Sequence, residues 1–162
     1  MDVQTHWNEI KTLFHDSFKS SFHYAIASTG ADGAPHVTPI GSLILTRPGS
    51  GLYFEKFTRQ LPRNLAADGR VCVLAVNSSR WFWIRSLLGG RFRSPPALRL
   101  HGIAGELRPA TEREKALWSA RVRRARLSKG HALMWRDMDL VREIEFTRAE
   151  PVEIGRMTQG LW

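Results

Sequence analysis

LYFEKFTRQLPRNL, residues Leu52 to Leu65, changes character half-way along. Leu52, Tyr53 and Phe54 close an apolar run that reads as a strand. Glu55 follows, and then Lys56, Thr58, Arg59, Arg63 and Asn64 arrive in quick succession. Pro62 predicts the start of a short helix, because proline fits the first turn, where its missing N–H costs nothing. A strand end, a loop of cations and a helix N-terminus together make a good place for a phosphate. The same residues also describe a solvated turn beside a helix, and these fourteen positions alone leave both readings open.

Upstream, RPGSG (Arg47 to Gly51) reads as a turn, and HVTPIGSLILT, His36 to Thr46, as a strand. Pro39 inside it cannot donate to a ladder, so it marks an edge, a bulge or a place where the backbone meets a ligand. TGADGAP before it is a hairpin signal: Asp32-Gly33 supplies the positive φ of a tight turn. FHYAIAS, Phe22 to Ser28, is the partner strand. Residues 4 to 18 space Trp7, Ile10, Leu13, Phe14 and Phe18 as one face of an amphipathic helix, with Thr5 as its N-cap.

Downstream, RVCVLAV, Arg70 to Val76, is a continuous apolar run and reads as a fully buried strand. Residues 77 to 96, NSSRWFWIRSLLGGRFRSPP, are an aromatic and arginine-rich excursion from the sheet, with a short helix ended by Gly89-Gly90. Ala97 to Pro109 is a further strand, with Gly102 and Gly105 as bulges or points of close backbone approach. Thr111-Glu112-Arg113-Glu114 is a capping-box pattern. Its helix is expected to reach about Arg126, burying Ala116, Leu117, Ala120 and Leu127, with Arg121, Arg123, Arg124 and Arg126 on a solvated face. Residues 128 to 139, with His131, form a connector. Leu140 to Arg148 and Pro151 to Met157 read as two strands broken at Ala149-Glu150, and Trp162 closes the chain as a docking aromatic.

The sum is six or seven strands in hairpin order, a helix in front and one near the end. That pattern predicts a mainly β fold with flanking helices, an antiparallel sheet closed into a small barrel, and a single domain over 1–162. The net charge of +9 is mostly arginine and favours anionic partners: phosphorylated cofactors, nucleic acid or an acidic membrane surface. A basic solvated surface is the plainer account. The one cysteine, Cys72, excludes an intrachain disulfide and is expected to be a small buried residue. No apolar run approaches the roughly 20 residues of a membrane span, and the polar N-terminus does not resemble a signal peptide. A cytoplasmic location is expected. His36, His101 and His131 are scattered without metal-ligand spacing, and there is no phosphate-cradling glycine loop or serine elbow.

Laid out in this order, the strand FHYAIAS, the DG turn, PHVTPIG, the strand ending in Tyr53-Phe54 and RNLAADGRVCVLAV resemble the pyridoxamine 5′-phosphate oxidase-like split-barrel superfamily. The resemblance covers most of residues 20 to 76. It implies a six-stranded antiparallel split barrel, a homodimer, and FMN in a groove between subunits. His36, Val37, Thr38, Pro39, Ile40 and Gly41 would run along the flavin, with Phe54 and Glu55 at the next strand's end. The family's namesake carries Ser-Arg-Lys where this chain has Arg59, Gln60 and Leu61. The phosphate role therefore falls to Lys56, Arg59 and Arg63, with Thr58 and Asn64 beside them. The implied activity is a flavin-dependent oxidoreductase for a small-molecule substrate, with NAD(P)H as electron donor. A rival within the fold is a binding protein for heme or a deazaflavin, without turnover. A nucleic-acid binder driven by arginine is the third reading, and it lacks a recognisable reading motif. For residues 77 to 96 the choices are a lid, a packing or dimer element, or a contact with an anionic membrane or partner.

Overall fold

The computed structural model describes residues 1–123 and 137–161, and His131, Arg124, Arg126, Leu127 and Trp162 lie outside them. The chain runs α1 (Trp7–Ser21), β1 (Tyr24–Thr29), β2 (Pro35–Ile40), β3 (Leu43–Leu45), β4 (Ser50–Phe54), α2 (Gln60–Ala67), β5 (Arg70–Val76) and α3 (Arg80–Gly89). It continues through β6 (Ala97–Ala104), β7 (Arg108–Pro109), α4 (Glu112–Val122), β8 (Leu140–Pro151) and a 3₁₀ turn at Gly155–Thr158.

All strand pairings among the described residues are antiparallel, in the order β2-β1-β5-β6-β8-β4-β3, with β7 also on β8. The two ends of that order, β2 and β3, are separated in sequence only by Gly41 and Ser42. The sheet must therefore curl until its first and last strands meet at these two residues. This is the split barrel expected from the sequence, with more strands because long runs are interrupted.

The interruptions have physical causes. The predicted strand His36 to Thr46 is two strands, because the backbone bends at Gly41-Ser42 as it passes from one edge to the other. A Cβ at Gly41 would sit 3.2 Å from the Phe22 carbonyl, and the buried Ser42 hydroxyl donates to the Phe54 carbonyl at 2.6 Å, tying the bend to β4. Ala97 to Pro109 likewise divides at Gly105: its N–H still donates to the Glu143 carbonyl on β8 at 2.8 Å, while its carbonyl accepts from the Arg142 guanidinium at 3.1 Å. The first expected C-terminal strand runs past its expected break at Ala149-Glu150 to Pro151 as β8, whereas the second, Pro151 to Met157, is not a strand: the chain leaves the sheet after Pro151 and turns through the 3₁₀ segment Gly155–Thr158. A bulge opposite His101/Gly102 leaves Thr147 without a partner and shifts the inward face from Ile144 and Phe146 to Ala149. That shift mimics a strand break in the apolar pattern. Gly102 is where the bulged strands close up: an added Cβ would lie 2.3 Å from the Glu145 carbonyl oxygen. Gly102→Ala should therefore cost about 3 kcal/mol, the upper end of the overpacking range, read as a lowered denaturant midpoint.

Other expectations shift by smaller amounts. β5 is buried on one face only. Residue His6, without a side-chain cap, precedes α1, while the Thr5 N–H donates to Asp2 Oδ2 at 2.6 Å. α2 starts at Gln60, placing Pro62 within its first turn. In α4 the buried face is Trp118 and Val122, one turn apart, and Leu117 points outward. Thr111 and Glu114 form the predicted capping box.

Two apolar clusters result. α1 fills the barrel with Trp7, Ile10 and Phe14 against Ile26, Val73, Leu98 and Phe146. α4 covers the other face of β4, packing Trp118 and Val122 on Leu52, Phe54 and Val141. β4 is consequently buried on both faces. Arg121 is not on a solvated face. Its guanidinium donates to the Leu43 carbonyl and the Tyr24 hydroxyl, each at 2.9 Å, and lies 3.8 Å from the Phe18 ring centroid. It bridges β3 to β1 across the barrel seam, packing as much through its stem and plane as through its charge.

Candidate functional site

The Lys56–Asn64 segment is a short loop that runs into α2, and it is pinned at both ends. At its start, the Glu55 N–H donates to the Leu140 carbonyl at 3.0 Å, and the Glu55 carboxylate accepts from Arg142 Nε at 2.8 Å. Both side chains are less than one-tenth exposed, and Arg142 also donates to the Gly105 carbonyl at 3.1 Å. In the middle, the Thr58 hydroxyl lies 3.0 Å from the Tyr53 hydroxyl. At the far end α2 buries Leu61, Asn64 and Leu65 and turns Arg59 and Arg63 outward.

Burial pushes the Tyr53 hydroxyl up from 10.0 to about 12. Below pH 10 this phenol is neutral in both the folded and unfolded chain. Between about 10 and 12 only the unfolded chain releases the proton, so stability falls as pH rises through that window. At full extent the loss is about 2–3 kcal/mol. Tyr53→Phe should flatten that part of the alkaline unfolding curve. Tyr24, also raised by burial, keeps its own share.

The predicted site residues divide. Asn64 is buried, donating to the Ser28 hydroxyl at 3.0 Å and accepting from Gln60 at 2.8 Å. Ser28 lies opposite His36 in the β1–β2 register, so α2 and β2 are brought together around β1. Directly opposed residues share a face, so His36, Thr38 and Ile40 point to the same side as Ser28, Ile26 and Tyr24. His36 Nδ1 lies 3.2 Å from the Thr38 hydroxyl. Val37 and Pro39 point outward with Ala27 and Ala25, and Val37 is 63% exposed. Among the described residues β2 pairs only with β1, so its outer edge leaves backbone donors and acceptors available. Gly41 marks the bend between β2 and β3.

Phe54 is buried beneath Trp118, and Glu55 is engaged by Arg142, so neither presents a free group to a ligand. Lys56 Nζ lies 5.3 Å from the Phe57 ring centroid, and Phe57 itself is held at φ 70°. Arg59 and Arg63 form no ion pair among the described residues. They are four apart and therefore share one face of α2. The helix start carries no side-chain cap, leaving its first N–H groups for another acceptor. Two exposed guanidinium groups beside an uncapped helix start are a donor set suited to a phosphate. Cavities among the described residues lie elsewhere, around the C-terminal turn, α1 and α3.

The sequence reading missed Arg142, Ser28 and Arg121 as supports of this region. None carries a local signal, because each acts on residues distant in the chain. Cys72 is half-buried on the outer face rather than enclosed, with Sγ 4.0 Å from His101 Nε2 and that nitrogen 3.3 Å from Glu150 Oε2. Burial pushes its thiol up, which argues against an activated thiolate.

Structural comparison extends the fold across nearly the whole chain. An FMN-binding protein from Syntrophomonas wolfei is 12% identical with a TM-score of 0.59, covering 95% of this chain and 97% of its own. HutZ, the heme storage protein from Vibrio cholerae, is 11% identical with a TM-score of 0.55, covering 93% and 95%. HupZ from Group A Streptococcus is 20% identical with a TM-score of 0.57, covering 90% and 92%. No curated protein sequence matches significantly. The family profile for pyridoxamine 5′-phosphate oxidase matches residues 12–152, and the chain belongs to that family.

Proposed function

We propose that this protein is an FMN-binding oxidoreductase that works as a homodimer on a small-molecule substrate, with NAD(P)H as the electron donor. The observation that carries the reading is the pair Arg59 and Arg63, exposed and without an ion pair among the described residues, at the uncapped start of α2. These two arginines hold the phosphate, with Lys56 adding positive charge. The edge of β2 offers backbone hydrogen bonds to a planar ring, and Val37 and Pro39 give it an apolar wall. Bound FMN supplies the two-electron redox chemistry, while the protein orients it and limits water around it. Glu55, Arg142, Tyr53 and Asn64 position the loop without touching the ligand. A second subunit completes the groove by covering the outer face of β2, β1, β5 and β6, which no helix of this chain covers among the described residues.

The visible spectrum of the purified protein tests this directly. FMN addition should produce a bound-flavin band, shifted and quenched relative to free flavin, and NAD(P)H should bleach it. A protein whose spectrum does not respond to FMN would overturn the reading. The likeness to a heme storage protein supports a second reading, a heme-binding barrel without turnover. A Soret band on adding hemin, with no response to FMN or a deazaflavin, would select it. Among the described residues no helix is long and apolar enough to cross a membrane.

A further inference from the structure

Residues 77 to 96 take no part in the site just described, yet they are firmly built. The Asn77 N–H donates to the Pro96 carbonyl at 2.8 Å, closing the neck where the chain leaves and re-enters the sheet. Trp83 Nε1 donates to the Asn77 carbonyl at 2.7 Å, and the Phe92 N–H to the Met157 carbonyl at 2.9 Å. Phe92 is buried against Phe82 and Trp83, with ring centroids 5.4 and 5.2 Å away. Ser79 caps the start of α3, and Gly90, at φ 64°, ends it.

One face of α3 is filled in this way by Phe82, Trp83 and Ser86. At 100° per residue the opposite face centres on Ile84, Leu88 and Trp81, flanked by Arg80 on one side and Arg85 on the other. A helix on a soluble protein places polar residues there. Here Leu88 is 84% exposed and Trp81 70%. The charge is equally one-sided. No aspartate or glutamate occurs between Asp68 and Glu106. Arg70 and Arg99 pair with Asp68 and Glu150, whereas Arg80, Arg85, Arg91 and Arg93 are exposed and form no ion pair among the described residues. Arg85, Arg91 and Arg93 line, with Trp81, a single cavity of about 610 Å³ beside the helix.

We infer that α3 and this cavity form a docking surface for an anionic phospholipid bilayer. Ile84, Leu88 and Trp81 enter the headgroup boundary, and the three cavity arginines hold lipid phosphates. A bilayer surface offers both things this face lacks, an apolar layer and negative charge, and tryptophan and arginine suit that boundary. Charge complementarity favours it over a second copy of the chain, which at a two-fold contact would set the same uncompensated arginines against one another. A lid over a substrate would turn its apolar residues inward.

Flotation of the full-length protein with vesicles tests the surface independently of the cofactor. Binding is expected on phosphatidylglycerol–phosphatidylcholine vesicles and not on phosphatidylcholine alone. Each guanidinium near an anionic bilayer is worth about fivefold in affinity. The triple variant Arg85→Ala/Arg91→Ala/Arg93→Ala should therefore weaken binding on the order of a hundredfold. Leu88→Asp, also at an exposed position, should weaken it at least about tenfold through the lost apolar contact and added repulsion. Circular dichroism confirms that both variants keep their fold. Four results would overturn the inference: no flotation, equal flotation on phosphatidylcholine, variants that bind like the parent, or displacement by dissolved inorganic phosphate. So would a change of Leu88→Asp from dimer to monomer with lipid binding absent throughout, which would assign the face to a second copy.

Discussion

Arg142→Ala should lower stability by about 3–5 kcal/mol, because it strands the Glu55 carboxylate in the barrel wall. The pair is 2.8 Å apart with both side chains less than one-tenth exposed, so neither water nor salt can stand in for the lost partner. Arg142 also satisfies the Gly105 carbonyl at the β6–β7 break, which would lose its donor as well. Replacing both charges, as in Glu55→Leu/Arg142→Met, should recover most of the loss, since a buried ion pair gains little over a well-packed apolar pair. Denaturant midpoints of the two variants decide the matter. A single-variant loss below about 1 kcal/mol would mean that the pair behaves like an exposed one. Glu55 begins the cationic loop, so the single variant should also loosen Lys56 to Thr58, seen as faster amide exchange there.

Arg59→Ala/Arg63→Ala should abolish FMN binding at micromolar protein while leaving the denaturant midpoint unchanged. Hydrogen bonds to a charged group contribute about 1.5–3 kcal/mol each, so removing two guanidinium partners predicts a loss on the order of 10²- to 10⁴-fold. Both side chains are exposed and form no ion pair among the described residues, so the fold has nothing to lose with them. The lysine versions should restore only part of the affinity, because lysine keeps the charge but not the two-pronged geometry. Titration of FMN against its own fluorescence reads all three proteins. Undiminished affinity in the alanine variant would place the phosphate elsewhere.

The core was readable wherever apolar spacing followed one period. Trp7, Ile10 and Phe14 announced α1, Thr111 and Glu114 the start of α4, and Asp32-Gly33 the first hairpin. It misled where the period changed within an element. The bulge at Thr147 moves the inward face of β8 by one residue, so a twelve-residue strand that runs to Pro151 reads as ending at Arg148. In α4 the spacing that places Leu117 inward lost to the larger Trp118, which packs on Phe54 with ring centroids 5.8 Å apart.

The candidate site shows the same division. The cations of Lys56 to Arg63 and the helix that follows them are local, and the chain order of strand, loop and helix was enough to bring a phosphate to mind. What holds them lies far away in sequence: Arg142 on Glu55 and Ser28 on Asn64. Composition and spacing carried the elements, their order and the antiparallel, mainly β architecture, because those depend on neighbours a few residues apart. Closure of the barrel at Gly41-Ser42, and which predicted site residues are buried supports and which face outward, emerged only when distant strands were set in register. Such pairings depend on contacts separated by up to a hundred residues, and no local pattern encodes them.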